Sequence, residues 1–255
     1  MAAIIVIPAR YASTRYPGKP LLNQTGKTLI EHVVEQARKA IAAARVVVAT
    51  DDARIADAVR GFSGEVVMTG AHASGTDRIA EVMRRPEYSH YAVVVNVQGD
   101  EPEIEPELID RLIHVAEAGA APMVTAAAPF TQVQDIANPA MVKVVTDQRH
   151  LALYFSRSVI PHDRDGLINS ARLLAIYRKH MGIYAYNRDF LLTLAAAPPC
   201  TLEQLEQLEQ LRALYLGAKI AVEDAATAPH GIDTPHDYLE FVARWRGMRA
   251  PPGGG

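Results

Sequence analysis

The chain opens with the β-branched run AIIVIP (residues 3–8), which is apolar throughout and ends in a proline. Such a run is typical of a buried parallel strand that enters a loop. A second apolar run, RVVVAT (45–50), follows a segment (28–43) in which apolar residues recur at helical spacing. Strand, helix and strand in this order predict a βαβ unit over residues 3–50.

The same alternation continues through the first half of the chain. Helices are predicted near residues 52–59, 77–84 and 106–118, and strands near 65–69 and 91–98. Strands and helices that alternate in this way form a mostly parallel sheet with helices on both faces. We therefore predict an α/β protein with a mostly parallel central sheet.

After residue 118 the rhythm changes, and a mixed or antiparallel extension is predicted. It contains strands at 141–146, 151–156 and 181–186, joined by longer polar connections. A helix (202–216), a strand (219–222) and a final helix (234–245) follow. We divide the chain into an α/β core (1–130), a smaller mixed-sheet lobe (131–200), a return to the core (201–250) and a C-terminal tail (251–255).

Charge is nearly balanced along the whole chain but not at its start. The 26 basic and 29 acidic residues give a net charge of -3, which argues against a protein that coats nucleic acid or an anionic membrane. Residues 1–30 nevertheless hold four basic residues and no acidic one, so this stretch carries +4 and the remainder -7. We therefore expect an anionic ligand near the N-terminal end.

Cysteine content and hydropathy indicate the compartment. Cys200 is the only cysteine, so an intramolecular disulfide is impossible. The apolar N-terminus lacks the pattern of a signal peptide, and the weakly polar stretch 118–130 contains two prolines and is too short to span a bilayer. We expect a cytoplasmic protein without nucleic-acid or membrane partners.

The loop after the first strand reads PARYASTRYPGKP (8–20) and places Arg10, Arg15 and Lys19 within ten residues, beside Gly18. Arginine forks and a lysine point charge suit a polyphosphate. A solvated basic loop is the alternative interpretation.

Two common nucleotide motifs are excluded. In Gly26-Lys27-Thr28 the glycine that a Walker loop requires five residues earlier is replaced by Leu21. The dinucleotide fingerprint is missing as well, because residues 9–17 contain no glycine. Hydride transfer with a dinucleotide is thus disfavoured.

Two acidic segments follow strands. In open α/β sheets ligands bind beyond the carboxyl ends of the strands. QGDEP (98–102) follows the most apolar strand and GIDTP (231–235) the last one, so Asp100 and Asp233 are candidate ligands of a hard divalent cation. Alternatively, Asp100 caps a helix or turn, and Asp233 belongs to an ordinary helix start.

Seven motifs, taken in chain order, carry a resemblance. They are IPARYASTRYPGKP (7–20), SGTDR (74–78), VNVQGDEP (95–102), YFSR (154–157), HMGIY (180–184), LEQLR (208–212) and GIDTP (231–235). Over about residues 3–245 the chain resembles the 3-deoxy-manno-octulosonate (Kdo) cytidylyltransferases. No single motif is specific, but their combination is.

The resemblance implies a Rossmann-like nucleotide-diphospho-sugar transferase fold and a reaction. CTP and Kdo would give CMP-Kdo and pyrophosphate, with Mg²⁺ as cofactor, for lipopolysaccharide biosynthesis. Residues 1–130 would bind CTP, and 131–200 would bind the sugar and contribute to a homodimer contact.

The resemblance also implies a role for individual residues. Lys19, Arg15 and Asp100 would be catalytic, and Asp100 and Asp233 would hold the metal. The CTP site would comprise Arg10, Ser13, Arg15, Lys19, Ser74, Thr76, Arg78 and Gln98. The Kdo site would comprise Gln98, Arg157, Arg164, His180, Tyr184, Glu209 and Gln210.

Other interpretations stay open at this point. Without the resemblance, the sugar residues are better explained as surface, core or solvated-helix positions. An acylneuraminate (sialic acid) cytidylyltransferase shares the N-terminal loop, although Arg157, His180 and the Leu-Glu-Gln helix favour Kdo. A non-catalytic nucleotide-binding protein on the same fold is disfavoured, because binding alone does not require paired carboxylates.

Overall fold

The computed structural model describes residues 2–12, 16–164, 166, 169–229 and 231–249. These residues form one nine-stranded sheet with helices packed on it. Its strands are β1 (Ala3–Ala9), β2 (Ala43–Thr50), β3 (Val66–Met68), β4 (Val93–Asn96), β5 (Met123–Pro129), β6 (Lys143–Thr146), β7 (Ala152–Ser156), β8 (Arg178–Asn187) and β9 (Ile220–Asp224). The helices are α1 (Leu29–Ala37), α2 (Ala53–Gly61), α3 (Gly75–Met83), α4 (Pro106–Glu117), α5 (Val133–Ile136), α6 (Ser170–Ile176), α7 (Arg188–Ala196), α8 (Thr201–Glu206), α9 (Gln210–Tyr215) and α10 (Pro235–Arg249).

The parallel half of the sheet is formed by the first four strands. β1 pairs in parallel with β2 and β4, and β2 pairs in parallel with β3. Residues 3–7 are completely buried, as expected for a central strand covered by helices on both faces. The α/β class, the mostly parallel central sheet and the βαβ unit at 3–50 are confirmed.

The other half of the sheet is mixed. β8 lies antiparallel between β4 and β5, and β9 runs parallel to β5. β6 continues the sheet from β8, and β7 pairs with β6. The lobe boundaries at 130 and 200 stay a prediction, although β8, which falls between them in sequence, lies in the middle of the central sheet.

One helix was predicted wrongly. Instead of a continuous helix over 202–216, the chain forms α8 and α9, separated at Gln207, which adopts a left-handed conformation with φ of 53°. The turn lets Leu208 pack into the core and brings Arg212 against Glu203, with Nε and Oε2 2.7 Å apart. Tertiary packing therefore overrides the local helical preference of the Leu-Glu-Gln repeat.

The long C-terminal helix α10 closes the molecule beside the first helix. Its residues Tyr238, Phe241 and Val242 form a small buried cluster with Leu29 and Ile232. This packing fixes the segment that precedes α10 and contains Asp233. No helix among the described residues has both the length and the apolar character that a bilayer span requires.

Candidate active site

A cavity of about 890 Å³ opens at the carboxyl ends of β1 and β4. The structure brings most of the predicted site residues to its walls: Arg10, Lys19, Ser74, Thr76, Arg78, Gln98, Asp100, His180, Tyr184, Glu209, Gln210 and Asp233. Ser13 and Arg15 lie outside the described residues. Arg157 and Arg164 are not among the lining residues. The individual roles stay predictions.

Lys19 is the centre of the cavity's charged end. It begins a short 3₁₀ helix directly after Gly18, whose φ of 72° is left-handed. Its buried Nζ donates hydrogen bonds to Asp100 Oδ2 at 2.6 Å and to the Ile232 carbonyl at 2.5 Å, and lies 3.7 Å from Asp233 Oδ1. One ammonium group therefore joins the two segments that carry the acidic residues.

The two carboxylates fit a divalent cation of the magnesium type. Both lie within 4 Å of the same nitrogen, so they face a common volume, and the Ile232 N–H donates to the Asp100 carbonyl at 2.9 Å to hold their segments together. The described residues contain no cluster of three or more histidine, cysteine or carboxylate side chains arranged for a metal. Mg²⁺ is commonly held by one or two carboxylates together with water and substrate phosphates, so two suffice.

The Arg78 side chain forms hydrogen bonds to the loop that precedes its own helix. Its buried guanidinium lies 3.0 Å from Asp51 Oδ2 and donates to Thr69 Oγ1 at 2.6 Å and, at 3.3 Å, to the Gly70 carbonyl. Ser74 caps the same helix, α3, by accepting from the Asp77 N–H at 3.1 Å. These contacts fix the residue 69–74 loop as one wall of the cavity, and Asp51 is a partner that sequence reasoning missed.

Glu101 is a second residue that sequence reasoning missed, although it stands next to Asp100 in the QGDEP motif. Burial raises the pKa of its carboxyl to about 8, with Asp100 and Asp233 adding to the shift and Lys179 opposing it. Its Oε2 is buried and has no hydrogen-bond partner among the described residues. Burial therefore favours the protonated form of this carboxyl.

His180 is held in one tautomer on the opposite wall. The Thr125 hydroxyl lies 2.8 Å from the Ile183 carbonyl and 3.1 Å from that of Met181, so it gives its single proton to a carbonyl. It therefore accepts from His180 Nε2, 3.0 Å away. Burial lowers the pKa of His180 to about 3, so the ring is neutral and its Nδ1 is an acceptor.

Tyr184 and Gln210 form the next pair along this wall. The Tyr184 hydroxyl donates to Gln210 Oε1 at 3.2 Å, and burial raises the pKa of Tyr184 well above its usual value. The buried Gln210 Nε2 has no partner among the described residues. Gln98 Nε2 donates to the Gly182 carbonyl at 3.0 Å, which ties β8 to the end of β4. This wall thus offers neutral donors and acceptors of the kind that bind sugar hydroxyls.

Arg157 occupies a different environment from the one predicted. Its guanidinium donates to the carbonyls of Glu206 at 2.6 Å, Pro139 at 3.0 Å and Gln207 at 3.3 Å. These bonds hold the turn between α8 and α9. In this structure Arg157 stabilises the frame of the cavity and does not face into it.

The fold and the cavity are those of an α/β protein that binds a ligand at the carboxyl ends of its strands, and comparison with known proteins gives its family. A family model described as cytidylyltransferase matches residues 4–220. The 3-deoxy-manno-octulosonate cytidylyltransferase of Syntrophotalea carbinolica is 48% identical over 97% of this chain and 100% of its own length. That of Pseudomonas syringae pv. tomato is 51% identical over 95% and 97%.

A solved structure agrees with these relatives. The CMP:2-keto-3-deoxy-manno-octonic acid synthetase complexed with CTP matches with a TM-score of 0.89 and 42% identity, over 97% of this chain and 100% of that one. The chain belongs to the cytidylyltransferase family and, within it, to the 3-deoxy-manno-octulosonate cytidylyltransferases.

Proposed function

We propose that this protein transfers the cytidylyl group of CTP to Kdo and releases pyrophosphate. The observation that carries the proposal is the position of Lys19 between Asp100 and Asp233, at the charged end of a cavity that His180, Tyr184 and Gln210 also line with hydrogen-bonding groups. One end suits a triphosphate and the other a polyhydroxylated sugar. The relative solved with CTP supports the nucleotide assignment.

The transfer is a displacement at phosphorus. The anomeric hydroxyl of Kdo gives up its proton to solvent and forms a bond to the α-phosphorus of CTP, and the bond to the bridging oxygen of pyrophosphate breaks. Catalysis of such a step is mostly alignment of the two substrates and neutralisation of developing charge. Lys19 and Arg10, which both line the cavity, are proposed for neutralisation, and Arg15 and Ser13 are added by the resemblance.

We propose that Asp100 and Asp233 hold Mg²⁺. When bound, the ion supplies positive charge to phosphate oxygens and makes a coordinated hydroxyl more acidic. Lys19 offsets the negative charge of the two carboxylates and so keeps them in place. Glu101 is buried beside them, and its burial favours the protonated form of its carboxyl.

The sugar is assigned to the wall that carries His180 and Tyr184. His180 Nδ1 accepts and Gln210 Nε2 donates, so the pair can distinguish the orientation of sugar hydroxyls. Ser74 and Arg78 are proposed for the nucleoside side, where the resemblance also puts Thr76. Arg157 and Arg164 are kept as proposed carboxylate contacts, and Arg157 would have to leave the backbone carbonyls that it now binds.

The deciding experiment measures pyrophosphate release from three substrate pairs. We expect activity with CTP and Kdo in the presence of Mg²⁺, and little with UTP and Kdo or with CTP and sialic acid. If CTP and sialic acid were the only active pair, the acylneuraminate alternative would replace the Kdo assignment. CTP binding without turnover of either sugar acid would favour a non-catalytic nucleotide-binding protein.

A homodimer, a cytoplasmic location and a role in lipopolysaccharide biosynthesis complete the proposal. Support for self-association comes from Leu153 on β7 and Leu205 on α8, which are 61% and 78% exposed. Exposed apolar side chains near a strand that pairs on one side only favour a protein contact. Sedimentation analysis tests the dimer, and Leu205→Glu is expected to weaken it.

A further inference from the structure

Thr76 and Glu209 are joined across the cavity although 133 positions separate them. The Thr76 hydroxyl donates to Glu209 Oε2 at 2.6 Å. Thr76 stands in the first turn of α3, the helix of the nucleotide side, whereas Glu209 immediately precedes α9 on the sugar side. The bond therefore connects two elements to which the family resemblance gives different substrates.

The proton of Thr76 is engaged in this bond. A hydroxyl has one proton, and a donor to a carboxylate forms a shorter and stronger bond than a donor to a neutral group. Thr76 is 5% exposed, so its side chain is enclosed by protein. A nucleotide that used this hydroxyl as a donor would have to displace a carboxylate partner.

The hydrogen bond from Thr76 affects the ionisation of the Glu209 carboxyl. Burial raises the pKa of its carboxyl, while the Thr76 hydrogen bond and the charge of Arg212 lower it, and Asp77 and Glu203 add negative charge nearby. The Thr76 hydroxyl therefore both orients the carboxylate and favours its ionised form. An ionised, oriented carboxylate is a strong acceptor for a sugar hydroxyl.

We propose that Thr76 is a positioning residue of the sugar site: it fixes the Glu209 carboxylate for a hydroxyl of the sugar acid and does not itself contact CTP. This inference rests on the proposed function and changes the substrate with which Thr76 is associated. It also means that the start of α3 serves both substrates, since Ser74 and Arg78, which line the same cavity, are proposed for the nucleoside.

The test separates the two Michaelis constants. Thr76→Val keeps the shape of the side chain and removes the hydroxyl. We expect the KM for Kdo to rise roughly 10- to 100-fold, the range set by one lost hydrogen bond to a charged group, with the KM for CTP unchanged within about twofold. Thr76→Ser retains the hydroxyl and is expected to restore the KM for Kdo to within about threefold of wild type.

Thr193→Val is the matched control. Thr193 is exposed on α7, and its hydroxyl donates to the Asp189 carbonyl of its own helix. We expect both Michaelis constants of this variant to equal those of wild type. Thermal unfolding of all variants shows whether each of them is still folded.

Three outcomes overturn the inference. A raised KM for CTP with an unchanged KM for Kdo would show that Thr76 contacts the nucleotide. Unchanged values for both substrates in folded Thr76→Val would show that the bond has no role, and failure of Thr76→Ser to restore the KM for Kdo would show that shape rather than the hydroxyl matters. A wild-type enzyme that does not release pyrophosphate from CTP and Kdo refutes the proposed function instead, so the two failures are distinguishable.

Discussion

Replacement of Lys19 by methionine tests the charged end of the cavity most directly. Methionine keeps the length and apolar stem of the side chain and removes the ammonium group. With that group go the hydrogen bonds to Asp100 at 2.6 Å and to the Ile232 carbonyl at 2.5 Å, together with the 3.7 Å approach to Asp233. Two carboxylates then face each other without a cation between them.

The expected loss has a catalytic and a structural part. Removing one preorganised group that stabilises developing charge lowers kcat by about 10²- to 10³-fold. Breaking a fully buried ion pair costs about 3–5 kcal/mol of stability. The side chains of Asp100 and Asp233 are 32% and 45% exposed, so water compensates in part and a loss of about 2 kcal/mol is expected.

Lys27→Met is the matched control. Lys27 lies eight residues further along the chain, pairs with Glu35 at the surface and does not line the cavity. Its substitution is expected to cost at most about 1 kcal/mol and to leave kcat unchanged. The assay is pyrophosphate release at saturating CTP and Kdo, accompanied by urea unfolding. A kcat for Lys19→Met within about threefold of wild type, or an equal loss in Lys27→Met, would refute the reasoning.

Three further predictions concern the cavity and the helices that frame it. Gly18→Ala forces alanine into a left-handed conformation, at a cost of about 1–2 kcal/mol, and places a methyl group 3.2 Å from the Tyr11 ring. The KM for CTP should therefore rise, and an unchanged KM contradicts this prediction. Burial lowers the pKa of His180 to about 3, so the residue stays neutral in the folded state, whereas in the unfolded state it takes up a proton below pH 6.5. Between pH 6 and 4 the unfolding free energy of the wild type should therefore fall by about 1.4 kcal/mol per pH unit more than that of His180→Gln. Equal slopes in urea unfolding would disprove the burial argument. Arg212→Met leaves Glu203 charged and buried, with an expected loss of about 3–5 kcal/mol in unfolding free energy, and Glu203→Gln added to it should recover part of that loss.

The parallel half of the fold follows from local patterns. Residues 3–7 and 47–50 of the two apolar runs are buried because both faces of these strands are covered, and that environment leaves a continuous apolar signature. β5 was not predicted, since MVTAAAP is rich in alanine and contains a proline, both of which are depleted in strands. Its pairing with β8 and β9 supplies what its composition lacks.

The candidate site was predictable where its residues are close to one another in the sequence. Gly18 and Lys19 are adjacent in sequence, so a cationic loop after β1 could be inferred without knowing the rest of the chain. The partners of these residues could not be inferred from the sequence. The contact of Lys19 with the Ile232 carbonyl joins positions 213 residues apart, and the bonds of Arg157 to backbone carbonyls depend on a turn at Gln207 that opposes local helix preference.

The sugar wall depends on one feature of topology, the antiparallel insertion of β8 between β4 and β5. In a purely parallel sheet every strand runs the same way, so only the carboxyl ends of the strands reach the ligand-binding edge. Asn96, the last residue of β4, pairs with Tyr184, so the preceding residues of β8 extend past the end of β4 and meet its loop. The beginning of an antiparallel strand thus brings His180 and Gly182 opposite Gln98 and Glu101, and a regular strand can present sugar-binding side chains at an edge otherwise built from loops.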